Sequence, residues 1–310
     1  MSPSVPPAPP LRLALAQSSG TPGDVRANLD ALDALAARAA SSGAHLLVAP
    51  ELFLSGYAPE HRSPDAGVAG SRSEPDAPPL AALALEEAEA AAGAGSRSEP
   101  DAPPLAALAL EEAEAAAELG ALARRHGLAV LAGYPERAGS ATYNSALLVG
   151  PDGAPLAAYR KTHLYGPYER AVFTAGDRAV VQAELRGIRL GVLICYDVEF
   201  PENVRAHADA GTEVLLVPTA LLAPYDFVAR SLVPVRAFES QLHIAYVNRT
   251  GPEGGFDFVG LSCLAAPDGT APARAGAGPE LLLAEADPAL LAASRAANPY
   301  LADRRTDLYR

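Results

Sequence analysis

Cys195 stands where an apolar run, Leu-Gly-Val-Leu-Ile at 190–194, stops and polar residues begin: Cys-Tyr-Asp-Val-Glu-Phe-Pro-Glu. The pattern predicts a strand, a sharp turn and a helix, with a thiol on the turn. Such an elbow exposes its side chain at the carboxyl end of a sheet strand, where ligands of open α/β sheets bind. Two readings are open for it, a nucleophile or a small buried core residue. A second apolar run, Ala-His-Leu-Leu-Val-Ala-Pro, ends at the acid Glu51 and continues Leu-Phe-Leu-Ser-Gly-Tyr to Tyr57. A third segment, Tyr-Arg-Lys-Thr-His-Leu-Tyr-Gly-Pro-Tyr-Glu, puts Lys161 after a short strand and Glu169 eight residues on. Taken singly, Lys161 and Glu169 read as solvated surface charges. A thiol, a carboxylate and an ammonium together can do acyl transfer. The thiolate attacks, a nearby cation favours it, and the acid shuttles protons.

These segments, in this order, resemble the nitrilase, or carbon–nitrogen hydrolase, superfamily. The acid lies in Ala-Pro-Glu-Leu-Phe-Leu-Ser-Gly-Tyr, the lysine in Tyr-Arg-Lys-Thr-His-Leu-Tyr and the nucleophile in Ile-Cys-Tyr-Asp-Val-Glu-Phe-Pro-Glu. The resemblance runs from about Leu11 to the carboxyl end. It implies a catalytic set of Glu51, Lys161 and Cys195, with Glu169 as the second glutamate beside the lysine. Lys161 and the backbone N–H of Tyr196 would serve an oxyanion. Tyr57, His163, Thr219 and Ala220 are the further candidates for lining the pocket. The implied reaction is hydrolysis of a small carboxamide to carboxylate and ammonia through a thioester, without cofactor or metal. Tyr196 follows the nucleophile where true nitrilases carry tryptophan, which favours amide over nitrile. The segments 216–221 and 233–241 look most like bacterial aliphatic and stereoselective carboxamide amidases. N-carbamoyl-amine hydrolases and ω-amidases share the triad and stay open. So does a catalytically silent nitrilase-like domain used for assembly. A carboxylate-bearing substrate needs a basic anchor, for which Arg236 is the candidate; a salt bridge to Glu239 is its structural alternative.

Composition sets the frame. The chain has 310 residues, 49% hydrophobic, enough for a large core. A net charge of −13 argues against nucleic acid or anionic membrane as partners. A small-molecule amide and further copies of the chain, as a homodimer or higher homo-oligomer, are the expected partners. Two cysteines make no disulfide framework, and a reactive thiol suits a reducing cytoplasm. Cys263, in an apolar strand closed by Pro-Asp-Gly, and His243, at the start of another, read as structural. Histidine and cysteine show no zinc spacing.

The elements expected to position the motifs are mixed α/β. Strands are predicted at 11–17, 44–51, 128–133, 145–149, 157–160, 179–185, 190–194, 213–218, 243–248, 257–264 and 280–285. Val25, Leu29, Leu32 and Ala36 recur at helical spacing. Arg125-His126-Gly127 reads as a basic last turn with a glycine cap. Pro-Asp-Gly at 151–153 reads as a hairpin turn. The resemblance sharpens this to a four-layer α-β-β-α sandwich of two mixed sheets with outer helices. Residues 1–10 are expected to form a flexible proline-rich arm before a single domain, 11–310. Residues 69–92 recur identically at 94–117. The second copy runs into the expected helix, so the insertion is placed near 69–93; its helix is expected outside the sheets, with Leu80, Leu83 and Leu85 packed on a neighbouring surface or a second subunit.

Overall fold

The structure is a computed structural model that describes residues 8–58 and 104–308. The arm at 1–7 and the whole first repeat copy lie outside the described residues. The first sheet has the strand order β14-β1-β2-β3-β4-β5, built from β1 (Leu11–Gln17), β2 (Leu46–Val48), β3 (Ala129–Ala138), β4 (Ala141–Val149), β5 (Pro155–Arg160) and β14 (Glu280–Ala286). The second has the order β13-β12-β9-β8-β7-β6, from β6 (Gln182–Leu185), β7 (Ile188–Val192), β8 (Val214–Thr219), β9 (His243–Asn248), β12 (Cys263–Ala265) and β13 (Ala273–Arg274). Its partner strands β7, β8 and β9 run parallel, as do β1, β2 and β3 in the first sheet.

Alternation along β1 explains the layering. Leu11, Leu13 and Leu15 join the core between the sheets, whereas Ala14 and Ala16 face the outer helices. Side chains two apart share a face of a strand, so one strand serves both interfaces. Helix α1 (Val25–Ser41) lays Leu29, Leu32 and Ala36 on that outer face, beside Ala115 and Leu119 of α2 (Glu112–His126). Asp24 caps α1 by accepting from the Ala27 N–H, and Gly127 ends α2 in the left-handed conformation at φ 64°. On the far side, α4 (Pro201–Asp209) and α5 (Val233–Ser240) bury Val204, Ala208, Val233 and Ala237 against the second sheet. The short α3 (Gly166–Val172) sits between β5 and β6 in sequence. The expected four-layer sandwich is the fold.

Three expectations need correction. The strand expected at 44–51 is only Leu46–Val48, because Pro50 cannot continue the ladder and the chain turns at Glu51. The strand expected at 257–264 is two. Phe256–Val259 (β11) pairs with Thr250–Glu253 (β10) in a separate ribbon, and Cys263–Ala265 joins β9. Gly260 and Leu261 between them hold φ 67° and 62°, which breaks the run and redirects it. Cys195 is indeed at an elbow, with φ 47°, but its residue is 8% exposed rather than open. A 3₁₀ turn, Cys195–Glu199, precedes the helix that Pro201 opens.

Candidate active site

Glu51, Lys161, Glu169 and Cys195 come from four segments of the chain and meet as one buried group. Glu51 follows the end of β2, Lys161 the end of β5 and Cys195 the end of β7; Glu169 is in α3. Lys161 Nζ donates to Glu51 Oε1 at 2.7 Å and to Glu169 Oε1 at 2.6 Å, and none of these three side chains is more than 1% exposed. Tyr57 OH donates to the same Glu169 Oε1 at 2.8 Å, and the Tyr165 N–H donates to Glu169 Oε2 at 2.8 Å. Asn144 Nδ2 donates to Glu51 Oε1 at 2.7 Å. Glu51 Oε2 is buried with no hydrogen-bond partner. A buried polar atom without a partner calls for an explanation.

The charges explain the resting state. Burial alone would lower the pKa of Lys161, but Glu169 and Glu51 hold its ammonium protonated well above the ordinary lysine range. Burial pushes the Glu169 carboxyl up to about 7, against the pull of Lys161. Burial, with repulsion from Glu51, pushes the Cys195 thiol well above its usual value; Lys161 and the Ala220 N–H act in the opposite sense. The lysine was expected to favour a thiolate. Its charge does act in that sense, but burial and the Glu51 charge outweigh it, and the ammonium is also paired with two carboxylates. Burial and the charges of Glu169, Glu51 and Cys195 likewise push the Tyr57 phenol well up, so it remains a donor.

Backbone geometry sets the Glu51 turn. Leu52 takes φ 49° in the left-handed region. A Cβ on Gly133 of β3 would lie 2.5 Å from Leu52 N and 2.8 Å from Glu51 Cα. Only glycine there lets the acid's backbone pass so close. At the elbow, Asp197 accepts at Oδ1 from Thr162 Oγ1 (2.8 Å) and the His163 N–H (2.9 Å), and at Oδ2 from Tyr159 OH (2.8 Å) and the Ile194 N–H (3.2 Å). One buried carboxylate thus ties the Cys195 turn to the segment carrying Lys161.

The remaining expected residues divide. The Tyr196 ring packs edge-on to Tyr165 and Phe200, with centroids 5.3 and 4.9 Å apart. His163 stacks on Phe200 at 4.0 Å and places Nδ1 2.9 Å from Asp197 Oδ1, so it braces the elbow. Ala220 presents its N–H to Cys195. Thr219 is buried with Oγ1 donating to Val217 O at 2.9 Å. Arg236 is not a free anchor: Nη1 pairs with Glu239 Oε1 at 2.9 Å and Nη2 donates to Glu199 O at 2.8 Å. Cys263 is buried and pushed up to about 11 by burial, and burial lowers His243 to about 4. Among the described residues no group of three or more His, Cys, Asp or Glu is placed to hold a metal, and no helix is long and apolar enough to cross a membrane. Asn144, Asp197, Arg249 and Glu253 belong to the site's framework and were not singled out from sequence. Each is a polar residue beside an apolar strand or a motif, which was the available signal.

Known proteins share this architecture and sequence. The carbon–nitrogen hydrolase family model matches residues 12–296. The chain is 39% identical over 300 residues, 96% of its length and 90% of the relative's, to a protein described as a hydrolase in the pqqF 5′ region of Pseudomonas protegens. It is 34% identical to an (R)-stereoselective amidase of a Pseudomonas species, over 95% of this chain and 92% of that one. A crystal structure of an amidase from Nesterenkonia sp. superposes with a TM-score of 0.74 at 33% identity, covering 100% of this chain and 99% of that one. A variant of that amidase holds the acetamide moiety of fluoroacetamide covalently on its active-site cysteine, and it too aligns at 33% identity with a TM-score of 0.74, over 100% of this chain and 99% of that one. The chain therefore belongs to the carbon–nitrogen hydrolase family of the nitrilase superfamily and is a hydrolase of amide carbon–nitrogen bonds.

Proposed function

We propose that the protein hydrolyses a small carboxamide to carboxylate and ammonia, with Cys195 as nucleophile, Glu51 as proton shuttle and Lys161 as oxyanion donor. The observation that carries this reading is the unpartnered Glu51 Oε2 in a buried group with Lys161 and the Cys195 thiol. Glu51 takes the Cys195 proton as sulfur attacks the carbonyl carbon, and a carbon–sulfur bond forms. Negative charge on the tetrahedral oxygen falls to Lys161 and the Tyr196 N–H, and preorganised donors of this kind are worth the most in a dry site. Glu51 then gives its proton to the departing nitrogen, the carbon–nitrogen bond breaks, and ammonia leaves a thioester. Water, deprotonated by Glu51, attacks the thioester; the carbon–sulfur bond breaks and sulfur recovers the proton. Glu169, held by Tyr57 and the Tyr165 N–H, keeps Lys161 in place.

Arg236 is engaged by Glu239 and by the Glu199 carbonyl, which counts against an N-carbamoyl amino acid or ω-amide that would need it as a carboxylate anchor. The test is ammonia release from a panel of short neutral amides, N-carbamoyl compounds, ω-amides and nitriles. Turnover of neutral amides by the parent chain, and none by Cys195→Ala, is expected. No turnover on any member of the panel would favour a silent assembly domain, and turnover by Cys195→Ala would overturn the nucleophile.

A further inference from the structure

We propose that Arg249 and Glu253 form a buried strut that positions the segment from Glu51 to Tyr57, and through it both carboxylates that hold Lys161. This rests on the reading of Glu51, Lys161 and Cys195 as the reacting set. Arg249 follows β9 and is fully buried. Its Nη1 donates to the backbone carbonyls of Glu51 at 3.1 Å and Leu52 at 3.3 Å. Its Nη2 donates to the Ser19 carbonyl and pairs with Glu253 Oε2. Glu253 Oε1 then accepts from the N–H groups of Tyr57 and, at 3.0 Å, Ala58. The pair thus grips the segment at both ends. One end is the backbone of the proton shuttle. The other is Tyr57, whose hydroxyl donates to Glu169.

The strut is placed where the backbone needs it. Leu52 is held at φ 49°, a region that non-glycine residues avoid, and its carbonyl is one of the three that Arg249 holds. Three carbonyls and a carboxylate converge on one guanidinium, whose planar fork can serve them together; a lysine ammonium is a point charge without that fork. Phe258 lies under the guanidinium, 5.4 Å from its carbon to the ring centroid. Arg249 and Glu253 touch backbone and each other, so they are positioning residues: they act on proton transfer only through where Glu51 and Tyr57 stand. Misplacing a reacting group by about 1 Å costs on the order of 100-fold in rate.

The experiment compares the parent chain with Arg249→Lys, Glu253→Gln, Tyr57→Phe and the Glu253→Gln/Tyr57→Phe double variant. Ammonia release gives kcat and KM, and thermal unfolding confirms the fold. Cys195→Ala is the control in the same assay. In folded Arg249→Lys, kcat should fall about 10- to 100-fold, more than KM changes, and the pH profile of kcat should move. If Arg249→Lys does not fold, Glu253→Gln carries the test, because it keeps an acceptor for the Tyr57 N–H and removes the charge opposite Arg249. Because Glu253 acts partly through Tyr57, the double variant should lose less than the product of the two single losses, the mark of residues in one network. A kcat within twofold of the parent in the folded single variants, or losses that multiply in the double variant, would overturn the strut. Activity in Cys195→Ala would instead overturn the catalytic reading on which it rests.

Discussion

Replacing Lys161 with methionine keeps the side chain as far as Cε and removes the charged Nζ. In the parent, the ammonium serves Glu51 at 2.7 Å and Glu169 at 2.6 Å, with all three side chains out of water. Removing the lysine leaves two buried carboxylates facing each other. Breaking a buried pair by deleting one partner costs about 3–5 kcal/mol, a large share of a net stability of about 5–15 kcal/mol. At roughly 2 °C per kcal/mol for a chain of this size, Tm should fall by roughly 5–10 °C at pH 8. The loss must depend on pH. With the lysine present, burial already raises Glu169 to about 7; without it the carboxyl rises further. A carboxyl raised in the folded state stabilises below its unfolded pKa, and that stability is lost as pH rises through the folded value. The Tm deficit of Lys161→Met should therefore be smaller at pH 5.5 than at pH 8. Turnover should drop by about two to three orders of magnitude, the usual effect of losing one oxyanion donor. Calorimetry at the two pH values and ammonia release at pH 8 measure both. A variant with the parent's Tm at pH 8, or turnover within threefold, would remove Lys161 from the account.

Glu51→Gln should abolish measurable turnover while folding normally, since the amide keeps the contact to Lys161 but cannot accept the thiol proton; ammonia release checks it. Gly133→Ala should lower kcat by about 10-fold or more, because the added methyl meets Leu52 N at 2.5 Å and displaces the acid's backbone by a fraction of an ångström; a crystal structure of the variant would show the shift. Glu199 is pushed up to about 7, mainly by burial, with Lys161 and Arg236 pulling it down. Ionising it in the fold is therefore unfavourable, and Glu199→Gln should gain up to about 3 kcal/mol at pH 8 relative to pH 4.5, read by urea unfolding at each pH. Deleting residues 69–93 should leave a folded, active chain. The second copy still leads into Glu112–His126, and loop length adds only a slowly growing closure cost; size-exclusion profile and turnover report it.

The candidate set was legible because its three motifs stand in the order of a known family; singly, Lys161 and Glu169 read as surface charges and Cys195 had two readings. The same resemblance supplied the layering, since periodicity along β1 or β8 says which face is buried but not that two sheets stack. The framework was hidden for a physical reason. Arg249 reads as a charge after the apolar run His243–Asn248, and only the fold shows it reaching 198 residues back to Glu51 O. Asn144 lies at the polar start of β4, and its partner is set by the sheet, not by local sequence. The thiol's burial stayed undecided because an elbow predicts where a side chain leaves its strand, not what packs over it. The Gly260–Ser262 break was missed because Phe256–Ala265 is apolar enough to read as one strand, while the left-handed residues 260 and 261 send its two halves to different partners.

The central claim is that Cys195, and not Cys263, is the reacting thiol, activated by Glu51. The most direct test is peptide mapping of the protein after graded exposure to iodoacetamide, with residual turnover measured on the same samples. The account predicts one label per chain on the Cys195 peptide, loss of turnover in proportion to that label, and much slower labelling in Glu51→Gln. Inactivation with the label on Cys263 and Cys195 unmodified, or full turnover in a chain alkylated at Cys195, would contradict it.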